Sequence, residues 1–212
     1  MDILAQISDN LICGDDEKVA EFTRKAMEEE IPPKQILEAG LIAGMTTVGE
    51  RFKAHEIFLP EVLLAAKAMH AGMGELKPLL IKEGIPPIGK VVLGSVQGDL
   101  HDIGKNLVGI LLKGAGFEVI DLGNDVAPSR FVETAKGQNA SVIGMSALLT
   151  TTMPAMRSVV NLVKEQGLDG RIKTIVGGAP VSESFAHEIG ADSYGFDAAN
   201  AVERVKSLIS EN

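Results

Sequence analysis

The sequence predicts an α/β chain in two parts, a four-helix bundle followed by a doubly wound, parallel five-stranded sheet. Three observations carry this reading. Up to about residue 81, apolar residues recur at helical spacing with no strand-like alternation. The stretch Glu83-Gly84-Ile85-Pro86-Pro87-Ile88-Gly89 then reads as a short, stiff spacer. Beyond it, short apolar runs alternate with amphipathic helical segments, the pattern of a parallel sheet with crossover helices. The expected domains are therefore 1–82 and 90–212, joined by a linker over 83–89.

The first helix carries Ile3, Leu4, Ile7 and Leu11, and Gly14 is placed to stop it. Asp15 and Asp16 offer an N-cap for a second helix with Val19, Phe22, Ala26 and Met27 on its apolar side. Pro32 and Pro33 break that helix. The third carries Ile36, Leu37, Leu41, Met45, Val48 and Phe52 as one helix, with Phe58 in the bundle core beyond it. The fourth starts at Pro60, a favoured first-turn proline, with Val62, Leu63, Ala66, Met69, Met73 and Leu76 apolar. Such helices with short connections make an antiparallel bundle. In the second half, strands are predicted at 90–96, 117–122, 141–146, 173–177 and, weakly, 192–195. Helices fall at 104–114, 128–137, 152–167, 181–189 and 197–210.

Composition narrows the function classes. The chain has 212 residues, 45% of them hydrophobic and 23% charged, as in a globular protein. Aromatic content is 4%, without Trp, and the net charge is −9, which argues against nucleic acid as a partner. The excess acid lies mostly in the first half, where residues 1–81 hold 8 Lys and Arg against 14 Asp and Glu. Met1-Asp2-Ile3 lacks a basic start and an apolar core, so no signal peptide is expected, and no stretch reads as a membrane span. Cys13 is the sole cysteine, so no internal disulfide can form. A buried thiol and a cytoplasmic location are expected.

The most informative segment is Gly98-Asp99-Leu100-His101-Asp102-Ile103-Gly104, between the first strand and its helix. An Asp two residues before a His puts a carboxylate within reach of one ring nitrogen and leaves the other for a metal. Gly104 leaves room for a bulky planar group near the backbone. Two more features follow in order: Ser146 and Leu148 after the third strand, then Gly177-Gly178 after the fourth. All three sit at the carboxyl ends of strands, where ligands bind in doubly wound sheets.

These residues resemble the Asp-x-His-x-x-Gly, Ser-x-Leu and Gly-Gly signatures of cobalamin-binding domains, which are Rossmann-like (flavodoxin-like) five-stranded sheets. The resemblance implies a cobalamin or related corrinoid, with His101 as the lower ligand to cobalt and Asp99 accepting its other proton. It extends this relay to a hydroxyl six residues beyond Ser146, here Thr152. Ser146 and Thr150 would line the slot for the displaced nucleotide tail, one of them also capping the next helix, and Gly177 and Gly178 would let the tail pass. Asp102 and Ile103, inside the motif, join the cofactor-binding positions, whereas Lys105 and Asn106 are expected at the helix start and surface.

The helical half is similar to the cap bundle of methionine synthase and of small methyltransferase corrinoid proteins. Met45-Thr46-Thr47-Val48-Gly49-Glu50-Arg51-Phe52 and Glu56-Ile57-Phe58-Leu59-Pro60-Glu61-Val62 carry this likeness. In that cap a Phe and a Leu seven residues apart cover the upper face of the corrin, matching Phe52 and Leu59. The implied function is that of a corrinoid protein not catalytic alone, carrying a methyl group on cobalt in the methylcobalamin form. Its implied partners are a substrate-specific methyltransferase, a second one delivering the methyl to tetrahydrofolate or coenzyme M, and a reductive activator of the corrinoid. Two alternatives share part of the pattern. The small subunit of an adenosylcobalamin-dependent mutase lacks the cap bundle, and a cobalamin-dependent sensor adds a DNA-binding element for which this acidic chain has neither room nor charge.

Overall fold

A computed structural model describes residues 2–210; the outer ends of the two expected domains, Met1 and Glu211–Asn212, lie outside them. The chain divides between Pro87 and Ile88 into two compact units, with Gly114–Gly116 grouped with the first.

The first unit is helical. Helix α1 (Ile3–Ile12) is capped by the Asp2 side chain and buries Leu4, Ile7 and Leu11. Gly14 ends the turn that follows, with φ of +76° and no room for a Cβ against Leu64. Helix α2 (Asp16–Glu28) starts at Asp15, whose carboxylate accepts the Lys18 N–H at 3.1 Å, and it packs on α1 and on α5 (Leu59–Lys82). Helix α5 buries Val62, Ala65, Ala68, Met69, Gly72, Leu76 and Leu80.

Four expectations need correction here. The third helix is not one regular α-helix: α3 (Pro33–Gln35) runs into a π-helical segment (Ile36–Ile42) and then α4 (Ala43–Lys53). The wider turn sets Gly40 against Ile7, where an added Cβ would stand 3.2 Å from the Ile7 methyl carbon. Phe58 is not core: it precedes α5 in extended conformation and is 65% exposed, its N–H bonded to Glu61. Leu63 faces solvent too, because the buried stripe of α5 runs through Val62 and Ala65. Cys13 is exposed, since it caps α1 two residues past Leu11, the last buried position.

The second unit is a five-stranded, wholly parallel sheet in the order β2-β1-β3-β4-β5. The strands are β1 (Lys90–Ser95), β2 (Glu118–Asp121), β3 (Val142–Ser146), β4 (Lys173–Gly177) and β5 (Ser193–Gly195). Strands β1 and β3 are apolar runs because helices cover both faces of a parallel sheet. Helices α7 (Pro128–Gly137), α8 (Pro154–Glu165) and α9 (Glu183–Ile189) close one face over Val92, Phe131, Ile143, Met156 and Val176. Helices α6 (Ile103–Gly114) and α10 (Ala198–Ser210) lie on the other. The chain leaves β1 toward β2 on one side and pairs β1 with β3 on the other, so the switch point lies between the loops after β1 and β3.

Candidate functional site

The loops at that switch point converge on Asp99. Its side chain is fully buried and accepts five hydrogen bonds. One oxygen takes the His101 backbone N–H at 3.1 Å and His101 Nδ1 at 2.8 Å. The other takes the N–H groups of Leu148 (2.7 Å) and Leu149 (3.2 Å) and the Thr152 hydroxyl (2.7 Å). Burial alone would raise the carboxyl's pKa, but Leu148, Thr152 and His101 together outweigh it and hold the group well below the usual carboxylate range.

The tautomer of a neutral His101 follows. An ionised carboxylate only accepts, so Nδ1 must carry the proton and the lone pair of the neutral ring is on Nε2. The imidazole is about half exposed, 52% by side chain. Thr152 Oγ1 also lies 2.8 Å from the Leu149 carbonyl, but its single proton favours the charged acceptor, and the Thr152 N–H already serves that carbonyl at 3.1 Å.

The motif loop is pinned along its length. Asp125 accepts the Gly98 N–H (2.7 Å), Asn124 donates to the Leu100 carbonyl (3.2 Å), and the Ser95 hydroxyl donates to the His101 carbonyl (2.6 Å). Lys105 departs from its expected surface position. It is buried, and its ammonium meets Asn106 at 2.6 Å and both Asp121 oxygens at 2.8 and 2.7 Å. That pair ties the first turn of α6 to the end of β2. Burial raises the Asp121 carboxyl less than the Lys105 ammonium and Gly123 N–H lower it, so its net shift is downward.

Beside the loop, a cavity of about 330 Å³ runs between α6 and α10 over β1, β3 and β4. Gly104, Ser146, Gly177 and Gly178 line it, whereas Leu148 and Thr150 do not. At Gly104 a Cβ would meet nothing within 4 Å, so the helix has no packing reason of its own for a glycine there. Gly178 is different: its φ is +125° and a Cβ would overlap the Ala147 carbonyl, so the turn itself requires glycine. Thr150 is exposed, and neither it nor Ser146 caps α8, whose N-cap is Met153 without a side-chain bond. Asp102 is half-buried, and its carbonyl takes the Asn106 N–H at 2.7 Å in the first turn of α6.

The loops after β1, β3 and β5 expose Leu100, Leu148, Leu149 and Phe196, and Ile103, the first residue of α6, is 77% accessible. Sequence reading missed Leu149, Phe196, Ser95, Asn124 and Asp125. The uninterrupted Leu148-Leu149 pair was the one signal available; Asn124 and Asp125 act through contacts 24 and 27 residues away. In the helical unit, Phe52 is half-buried near the end of α4 and Leu59 is the exposed first residue of α5. His55, His70 and His187 are exposed.

Among the described residues, no group of three or more His, Cys, Asp or Glu side chains could hold a metal ion. A lone half-exposed imidazole on a rim with exposed apolar side chains suits a metal that arrives inside a flat macrocycle, and the cavity suits an appendage of that macrocycle. The family matches identify the class. Residues 89–205 match the B12 binding domain, and residues 3–77 match a second B12 binding domain model. The chain is 45% identical over 207 residues to dimethylamine corrinoid protein 3 of Methanosarcina acetivorans, covering 98% of this chain and 97% of that one. It is 42% identical to trimethylamine corrinoid protein 1 of Methanosarcina mazei, covering 98% and 97%. Its fold matches a chain of the methanol:cobalamin methyltransferase complex MtaBC from Methanosarcina barkeri, with a TM-score of 0.88 and 30% identity, over 99% of this chain and 80% of that one. The protein belongs to the methyltransferase corrinoid proteins and binds cobalamin or a related corrinoid. It is a methyl-carrying protein, and the mutase-subunit and sensor alternatives are not favoured.

Proposed function

We propose that this chain shuttles a methyl group on cobalt between two methyltransferases: one takes it from the substrate, and a second delivers it to tetrahydrofolate or coenzyme M. The observation that carries the reading is the Thr152–Asp99–His101 line, which ends in a half-exposed imidazole on the loop that leads to Gly104 in the cavity wall. The bound corrinoid supplies a cobalt that accepts and releases the methyl group. His101 would hold that cobalt through Nε2. Asp99 holds the proton on Nδ1, and Thr152 donates to the same carboxylate, so the charge behind the ligand is fixed. Ser146, Gly104, Gly177 and Gly178 would hold its nucleotide tail, and Asp102, Ile103, Leu148 and Thr150 would hold its ring.

By resemblance, residues 1–82 act as the cap, with Phe52 and Leu59 against the upper face, and 83–89 as the linker to the domain at 90–212. Methylated amines are the donor class favoured, because relatives at 42–45% identity are named for dimethylamine and trimethylamine. A reductive activator restores corrinoid that has been oxidised. No helix of the described residues is long and apolar enough to cross a membrane, and the lone Cys13 fits a reducing cytoplasm. No nucleic-acid partner is proposed for so acidic a chain.

The test is loading with hydroxocobalamin, reduction to Co(II) and electron paramagnetic resonance. One protein nitrogen should couple to cobalt and vanish in His101→Ala. With ¹⁵N-histidine in the protein that coupling is a doublet, unlike the triplet from the cofactor's own ¹⁴N base, and a doublet surviving in His101→Ala with cofactor still bound removes the ligand assignment.

A further inference from the structure

We propose that Ser95 is a positioning residue for the histidine ligand, its hydroxyl setting the height of the His101 backbone and hence the reach of Nε2. The inference rests on the assignment of His101 to cobalt. Ser95 is the last residue of β1 and is buried. Its hydroxyl is 2.6 Å from the His101 carbonyl, six residues on. A buried hydroxyl is costly without a partner, and here the partner is the ligand's own peptide group.

Ser95 is held on both sides. Its N–H donates to the Gly123 carbonyl at 3.0 Å, and its own carbonyl accepts the Val126 N–H at 3.0 Å. It is also in register with Ser146 of β3. The sheet therefore lends its rigidity to residue 101 through one short hydrogen bond. The residues before it are tied to a different element: Gly98 and Asp99 to Asp125, and Leu100 to Asn124. Asp99 fixes how the imidazole is turned, through Nδ1 at 2.8 Å. Ser95 fixes where the ring is hung. A ligand bond to a macrocycle resting on the loop rim tolerates only small displacements of that anchor, which gives a single hydroxyl its leverage.

The test uses the full chain labelled with ¹⁵N-histidine, loaded with hydroxocobalamin and reduced to Co(II). A histidine ¹⁵N splits each cobalt line into a doublet, whereas the cofactor's own ¹⁴N base gives a triplet. A triplet, or no splitting, in the unaltered chain would remove the ligand assignment itself. With a doublet there, Ser95→Ala should lower the ratio of histidine-ligated to unligated cobalt roughly tenfold, the loss of one buried hydrogen bond. Ser95→Cys, similar in size but a much weaker donor, should behave as Ser95→Ala does, and Ser95→Thr should keep the ratio. A merely structural serine would lower the melting temperature of the cofactor-free protein and leave that ratio unmoved. An unmoved ratio in Ser95→Ala or Ser95→Cys, or a loss in Ser95→Thr as deep as in Ser95→Ala, overturns the inference.

Discussion

Asp99 concentrates the polar energetics of the site in one side chain. Its carboxyl is held below the ordinary value near ~4, so ionisation favours the folded state above that pH. The contribution is lost as pH falls through the depressed folded value. Asp99→Asn should therefore destabilise the cofactor-free protein by about 3 kcal/mol at neutral pH, with the deficit shrinking below pH ~4. Urea denaturation at both pH values measures this, and an equal deficit at both would assign the loss to side-chain geometry instead of charge. Thr23 is the opposite case: its buried hydroxyl has no hydrogen-bond partner among the described residues. Thr23→Val should raise stability by about 1 kcal/mol in thermal melts. The Asp99–His101 contact was legible because a spacing of two is local, and Thr152 was reached by counting from Ser146. The burial of Lys105 was not legible, since its partner Asp121 stands 16 residues away at the end of β2.

At the scale of elements, the sheet was readable and the bundle less so, for one reason. Strands such as Val91-Val92-Leu93 and Val142-Ile143 are continuous apolar runs that only a doubly covered sheet accommodates. In the third helix, Ile36, Leu37 and Leu41 suit a 3.6-residue turn and a wider one equally, so the π-helical segment left no mark in the spacing. Phe58 misled because apolarity signals burial only on average, and its place before α5 leaves it exposed. Helix α6 offers a sharper experiment. Its Gly104 has open space where a Cβ would stand, so Gly104→Ala should stabilise the cofactor-free fold by roughly 0.5–1 kcal/mol. The same change should weaken corrinoid binding, because the added methyl enters the cavity wall. Calorimetry without cofactor and titration with hydroxocobalamin read the two effects separately. Unchanged affinity would show that the corrinoid does not approach α6 at Gly104.

For the whole molecule, the groups that ionise are as telling as the groups that bind. The cavity wall holds two ionisable side chains, and both are engaged. Lys105 is bound to Asp121, and Asp197 accepts the Asn200 N–H at 2.7 Å at the start of α10. Asp99 is committed to His101 and stays ionised at any physiological pH. On the carrier reading proposed above, substrate activation comes from another chain. The purified protein, loaded and reduced, should accordingly fail to demethylate dimethylamine or trimethylamine over hours. Addition of the cognate methyltransferase should start turnover, seen as the cobalt spectrum changing from the reduced to the methylated form. Steady methyl uptake by the single chain from either amine would end the carrier reading and require an acid within this fold.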